Sequence, residues 1–189
     1  VTPADSYGVS GMVRRVIIGL SGASGQIYGI EILKSLREMN EIETHLVMTR
    51  AAEMNILQET EYSVEEIRSL AHIAYRNSDV GAKIASGSFK TDGMIIAPTS
   101  IKTASAIANS YNSNLLIRAA DVTLKEKRKL LLVVREAPLH SGHLKTLLRL
   151  KELGAIIFVP VPDFSNAPVT LEDMVNHTVD EILEIFGIL

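Results

Sequence analysis

Hydroxyl, cationic and carboxylate side chains gather in this chain at the ends of its apolar runs, in "SGASG", "TRAAE", "APTSIKT", "VVREAP" and "VPDFSNAP". The first lies within "GLSGASGQIYG", whose glycines fall at 19, 22, 25 and 29. That spacing is not the G-x-G-x-x-G of dinucleotide sites, and no Gly-Lys-Ser/Thr follows to make a phosphate loop. What remains is a small-residue turn whose backbone N–H groups can meet an anion or a polar ring edge at a helix start. Close packing of a glycine-rich turn explains it equally well.

The second segment narrows the choice of ligand. A dinucleotide fold ends this strand in Asp or Glu, which grips a ribose diol. Here the strand ends in Thr49-Arg50, and a hydroxyl with a cation suits a phosphate better. A mononucleotide such as FMN therefore fits better than NAD, although a solvated surface charge is the plainer reading of Arg50. In "APTSIKT", three hydroxyls (Thr99, Ser100, Thr103) surround Lys102 at a helix start, where capping needs only one. Further along, Arg118 and Lys125 are seven residues apart and can share one helical face. Arg135-Glu136 closes an otherwise apolar strand, and Glu59 offers a second carboxylate at a helix end.

The elements that must position these residues are legible in outline. "RVIIGL", "THLVM", "GMIIAP", "KLLLVV" and "AIIFVPVP" are nearly continuous apolar runs, as parallel strands covered on both faces should be. Helical patterns alternate with them. "GIEILKSLREMN" turns Ile30, Ile32, Leu33 and Leu36 to one side. "SVEEIRSLAHIA" opens with a Ser63–Glu66 capping box, and "TLEDMVNHTVDEILEIFG" opens with Thr170–Asp173 in the same spacing and stops at Gly187. The alternation predicts an α/β fold, a three-layer doubly wound parallel sheet in one domain over residues 14–189, preceded by a flexible extension over 1–13. In such a sheet the ligand lies beyond the carboxyl ends of the strands, where the five segments stand.

Composition excludes several classes. A net charge of −3 leaves no basic footprint for nucleic acid, and the absence of cysteine rules out disulfides and thiolate metal sites. No run is long enough for a membrane span, and the first residues lack the order of a secretory signal, so a cytoplasmic protein is expected. The five histidines (45, 72, 140, 143, 177) show no ligand spacing, and none is assigned to a metal.

Taken together, "GLSGASGQIYG", "APTSIKTASAIANSY" and the "RAADV-LKE-REAPL" block resemble the UbiX-like flavin prenyltransferases, from about Arg14 to Gly187. The resemblance implies metal-free transfer of a dimethylallyl group from dimethylallyl phosphate to reduced FMN. The prenylated flavin would serve a separate UbiD-like decarboxylase. Gly22, Ala23 and Ser24 would contact the flavin, Thr49 would stand at the FMN site, and Ser100, Ile101, Lys102, Thr103 and Arg135 would complete it. Ser24, Glu59 and Glu136 match catalytic positions. Arg118, Lys125, Arg135 and the position of Ser165 match those near the substrate phosphate. A homo-oligomer with sites between subunits is implied as well.

Two positions depart from that pattern: Ser165 stands where the family has Tyr, and Glu181 where it has Arg, while the usual Trp-containing tail is missing. The charge reversal at Glu181 would repel a phosphate if it faced one. An FMN-binding paralogue without prenyl transfer is the alternative these departures raise. An FMN-dependent Cys decarboxylase is more distant, because "PTSIKT" lacks that branch's motif.

Overall fold

The apolar runs become parallel strands because neighbours cover both their faces. The computed structural model describes residues 13–162, 164 and 168–189; residues 1–12 of the expected extension lie outside these, as do Asp163 and Ser165. Strand β1 (Arg14–Leu20) leads through α1 (Gln26–Arg37) to β2 (Ile42–Met48), then through α2 (Arg50–Glu59) and α3 (Val64–Leu70) to β3 (Ile73–Arg76). A single 3-10 turn, Lys83–Ala85, precedes β4 (Gly93–Thr99). After it come α4 (Ile101–Ala108), α5 (Leu115–Lys125), β5 (Lys129–Val134), α6 (Ser141–Glu152), β6 (Ile156–Phe158) and α7 (Leu171–Phe186). The strands form one six-stranded parallel sheet in the order β3-β2-β1-β4-β5-β6. This is the doubly wound α/β fold expected from the sequence. Its order reverses between β1 and β4, which is where a ligand crevice opens.

Side chains alternate along each strand, so every run feeds two cores at once. Val16, Ile18 and Leu20 of β1, Ile95 and Ala97 of β4, and Leu131 and Val133 of β5 join one core with α1, α2, α3 and α7. Ile17, Met94, Ile96, Leu130, Leu132 and Val134 join the other, beneath α4, α5 and α6. The predicted face of α1 is buried as expected, at Ile30, Ile32, Leu33 and Leu36. Both capping boxes form, Ser63 with Glu66 and Thr170 with Asp173. Among the described residues, no helix is long and apolar enough to cross a membrane.

One element differs from the expectation. The helix read over "SVEEIRSLAHIA" stops at Leu70, and Ile73–Arg76 forms a sixth strand. The cause is a pair of hydrogen bonds that tie the chain to β2. His72 N donates to Thr44 Oγ1 at 3.1 Å, and Thr44 N donates to His72 Nδ1 at 3.1 Å. An edge strand with mostly exposed residues needs no apolar run, so its pattern gave no signal.

Candidate functional site

The loop after β1 is braced from three sides before any ligand is considered. Ser21 Oγ donates to Pro98 O at 3.1 Å and accepts from Ser100 N at 2.7 Å, joining the ends of β1 and β4. Gln26 Nε2 donates to both Ser21 O and Ala23 O at 2.8 Å, and Asn55 Nδ2 donates to Ala23 O at 3.1 Å. Gly22 lies directly against Ala51 in the first turn of α2, so even a methyl group there would overlap. Gly25 takes φ +98°, a left-handed conformation that favours glycine. Ser24, at the apex between them, is exposed.

The amino end of α1 already has its anion. Glu59 Oε2, from the last residue of α2, accepts from Gly25 N at 2.8 Å and Gln26 N at 3.1 Å. The small-residue turn that invited an external anion is therefore closed by the chain's own carboxylate. The Arg135 side chain passes close over Gly25, its Cδ 3.1 Å from where a β-carbon would stand. Glu59, Gly25 and Arg135 thus share one neighbourhood.

Two clefts open at the carboxyl ends of the strands. The first, of about 570 Å³, is lined by Gly22, Ala23, Ser24, Ser100, Arg135 and Glu136, with Pro160 at its far wall. The second, of about 770 Å³, includes Thr49, Arg50, Lys102, Thr103 and Asn114. Gly22 and Ser100 line both, so the clefts meet at a seam made by the β1 and β4 loops.

The second cleft is built for negative charge. Helices α2, α4 and α5 all begin there, capped by Thr49, Ser100 and Asn114, whose side-chain oxygens accept from Ala52 N, Thr103 N and Ile117 N. Helix amino ends carry partial positive charge and free N–H groups, and Arg50 and Lys102 add full charges. The cluster in "TSIKT" is partly self-satisfied: Ser100 Oγ donates to Thr103 Oγ1 at 3.1 Å. Ile101 lines neither cleft and packs instead against the core beneath α4.

The sequence-predicted residues divide between the two clefts and positions beyond them, and Glu59 and Ile101 line neither cleft. Gly22, Ala23, Ser24, Ser100, Arg135 and Glu136 meet in the first cleft; Thr49, Ser100, Lys102 and Thr103 meet in the second. Arg118 and Lys125 line neither. Arg118 pairs with Asp121 at 3.4 Å, and Lys125 pairs with Glu126 at 3.2 Å. Lys125 ends α5 eight residues beyond Ile117, about 12 Å along the axis from the second cleft. Glu181 is exposed in the second half of α7. That half runs toward the amino ends of the strands, opposite the clefts, where Lys129 Nζ at the start of β5 donates to Phe186 O at 2.7 Å. Ser165 lies outside the described residues.

Asn55, Asn77 and Asn114 went unnoticed in the sequence. Only Asn114 left a signal, as a helix cap before "LLIR". His140 and His143 follow the Arg135–Glu136 segment with ring centroids 3.6 Å apart and planes tilted by 34°, and His140 Nδ1 accepts from Gly142 N to cap α6. Among the described residues, no group of three His, Cys, Asp or Glu could hold a metal ion.

Known proteins resemble this chain in sequence and in fold. The family model described as Flavoprotein matches residues 6–184. Flavin prenyltransferase UbiX of Escherichia coli (strain K12) is 50% identical over 176 residues, 93% of each chain. A structure described as a dodecameric FMN-dependent UbiX-like decarboxylase from Escherichia coli O157:H7 superposes with a TM-score of 0.90 at 46% identity, covering 92% of this chain and 94% of that one. AnUbiX (PadA1), solved in complex with FMN and dimethylallyl pyrophosphate, superposes with a TM-score of 0.90 at 43% identity, over 92% of each chain.

Proposed function

The chain belongs to the Flavoprotein family, among its UbiX flavin prenyltransferases, and we propose that it transfers a dimethylallyl group from dimethylallyl phosphate to reduced FMN. The observation that carries this reading is the seam at Gly22 and Ser100, which joins a phosphate-suited cleft to one holding Ser24, Arg135 and Glu136. A flavin mononucleotide has the same two-part character. Its phosphate fits the amino ends of α2, α4 and α5 with Arg50 and Lys102, and its flat ring fits the small residues of the seam.

Reduced FMN, when bound, supplies the nucleophilic ring that receives the dimethylallyl group. The chain's own residues do the rest. Arg135 faces the allyl phosphate and favours its departure, since charge grows on the phosphate oxygens as the carbon–oxygen bond breaks and the phosphate leaves with the electron pair. Glu136 accepts the proton that the alkylated ring must lose. Ser24, at the apex of the β1 loop, hydrogen-bonds the ring edge or relays that proton. Glu59 holds the loop and keeps a carboxylate beside Arg135. Gly22, Ala23 and Thr103 shape the flavin contacts, and Thr49 caps the phosphate end.

Arg118 and Lys125 act on the substrate phosphate from a neighbouring copy in a homo-oligomer, which accounts for their distance from both clefts of their own chain. Ser165 and Glu181 replace a Tyr and an Arg of the family, so the phosphate rests on Arg118, Lys125 and Arg135. The protein works in the cytoplasm and hands its prenylated flavin to a UbiD-like decarboxylase. Anaerobic incubation with reduced FMN and dimethylallyl phosphate tests the activity. The expected outcome is an extracted flavin heavier by one five-carbon unit in mass spectrometry, and an unchanged flavin mass would overturn it.

A further inference from the structure

A third recess, of about 660 Å³, opens beside the phosphate cleft and shares Arg50, Asn77, Ser113 and Asn114 with it. Its outer wall carries Arg68 and Arg76. Arg76 ends the edge strand β3 and pairs in register with Met48, two residues before Arg50. The sheet therefore sets Arg76 beside the strand end that carries Arg50.

The charges here are unevenly used. Arg68 is spent: its two terminal nitrogens bind Glu53 and Glu65, both at 2.6 Å. The same contact occupies Glu53, the carboxylate that lines the recess. The guanidinium groups of Arg50 and Arg76 make no hydrogen bond or ion pair with another described residue. At the junction, Asn77 Oδ1 accepts from Leu116 N at 2.9 Å and Asn114 Oδ1 accepts from Ile117 N at 3.0 Å. Each amide oxygen is taken, so each free end is an NH₂ donor. The passage between cleft and recess thus offers donors and guanidinium groups, with its one carboxylate already paired. That chemistry suits an anion.

A mononucleotide phosphate fills only the first cradle and leaves Arg76 unused. A phosphate bonded directly to the first would continue past Arg50 toward Arg76. We propose that this recess is a second-phosphate subsite that accepts the diphosphate of flavin adenine dinucleotide, with its nucleoside running outward along Met48 and Val80. The subsite rests on the flavin reading of the adjoining cleft, and its test separates the two.

The purified full chain is titrated with FMN, FAD and riboflavin, following flavin fluorescence and heat of binding. FAD is expected to bind within about tenfold of FMN, and riboflavin far more weakly than either. Arg76→Ala is expected to weaken FAD about tenfold while changing FMN by less than about twofold. Arg76 is exposed, so the variant keeps the fold, which its melting curve checks. If FMN binds but excess FAD fails to displace it, the subsite is wrong and the flavin reading stands. Equal effects of Arg76→Ala on FMN and FAD, or none on either, also overturn it. If no flavin binds at all, the function and the subsite fall together.

Discussion

The carboxylate of Glu59 accepts the backbone hydrogen of Gly25 at 2.8 Å, and with it the first free N–H of α1. One residue thereby answers the positive end of the helix that begins the doubly wound fold. With that end occupied, an incoming phosphate has the amino ends of α2, α4 and α5 to bind, and these open into the second cleft.

Removing this contact should cost stability as a lost helix cap does. Glu59→Ala is expected to lower the unfolding free energy by about 1 kcal/mol, and Glu59→Gln, which keeps an acceptor, by about half as much. Urea denaturation measures both. Midpoints that match the parent chain would show that Glu59 does not hold the loop.

The contact between Gly22 and Ala51 predicts a paired rescue. Gly22→Ala forces the β1 loop off α2 and should cost about 1–3 kcal/mol, with FMN binding weakened in proportion. Ala51→Gly frees the space at a helix-propensity cost of about 1 kcal/mol. The double variant should be more stable than the sum of the single effects implies. Strict additivity in a thermal-melt cycle would contradict the steric account.

Glu136→Gln should separate binding from turnover. The side chain is exposed in the first cleft and makes no contribution to either core, so folding and FMN affinity should be unchanged. Prenyl transfer should fall about 100-fold if the residue accepts the proton. Equal loss of FMN affinity and rate would assign Glu136 to binding instead.

Acid should destabilise the β1–β2–β3 side of the sheet through His45. Its ring is fully buried, with Nε2–H donating to Glu43 at 2.8 Å and Nδ1 accepting from Tyr75 at 3.0 Å. Burial lowers the His45 pKa below its ordinary 6.5 despite the neighbouring carboxylate. Burial alone would raise Glu43, but hydrogen bonds from His45 and Arg15 hold it below its ordinary 4.5. For His45 the unfolded chain takes up a proton first as pH falls. Its contribution is therefore complete above 6.5 and is lost below that value. The Glu43 contribution is complete above 4.5 and fades as pH falls through its lowered pKa. His45→Gln should flatten the melting-temperature profile just below pH 6.5, and an unaltered slope there would remove His45 as its source.

The strands that were legible in sequence are those with apolar runs, including the edge strand β6, whose Ile156 and Phe158 pack on one core and Ile157 on the other. β1, β2, β4 and β5 announced themselves because Ile17 and Ile18, or Leu131 and Leu132, must each satisfy a different core. β3 did not, because an edge strand such as Ile73–Arg76 is held by backbone pairing and the Thr44–His72 bonds rather than by apolar burial. The clefts followed from the rule that ligands sit at strand ends, so Ser24, Thr49, Ser100, Arg135 and Glu136 could be named in advance. Arg76 and Asn77 were invisible because their importance comes from β3 lying beside β2, a pairing the pattern did not show. That Glu59 caps α1 was equally hidden: its partner is a backbone N–H 34 residues away, and no residue type marks such a group.

Ser21 has a further consequence for timing. Its hydroxyl, fully buried, gives its hydrogen to Pro98 O and takes one from Ser100 N, so a single oxygen links the loops that carry the two clefts. Ser24 rides on one of those loops, and Lys102 with Thr103 rides on the other. The span between the Ser24 loop and the Lys102–Thr103 turn is thus set during folding, like the marks on a ruler, because Ser21 fixes it from within the chain.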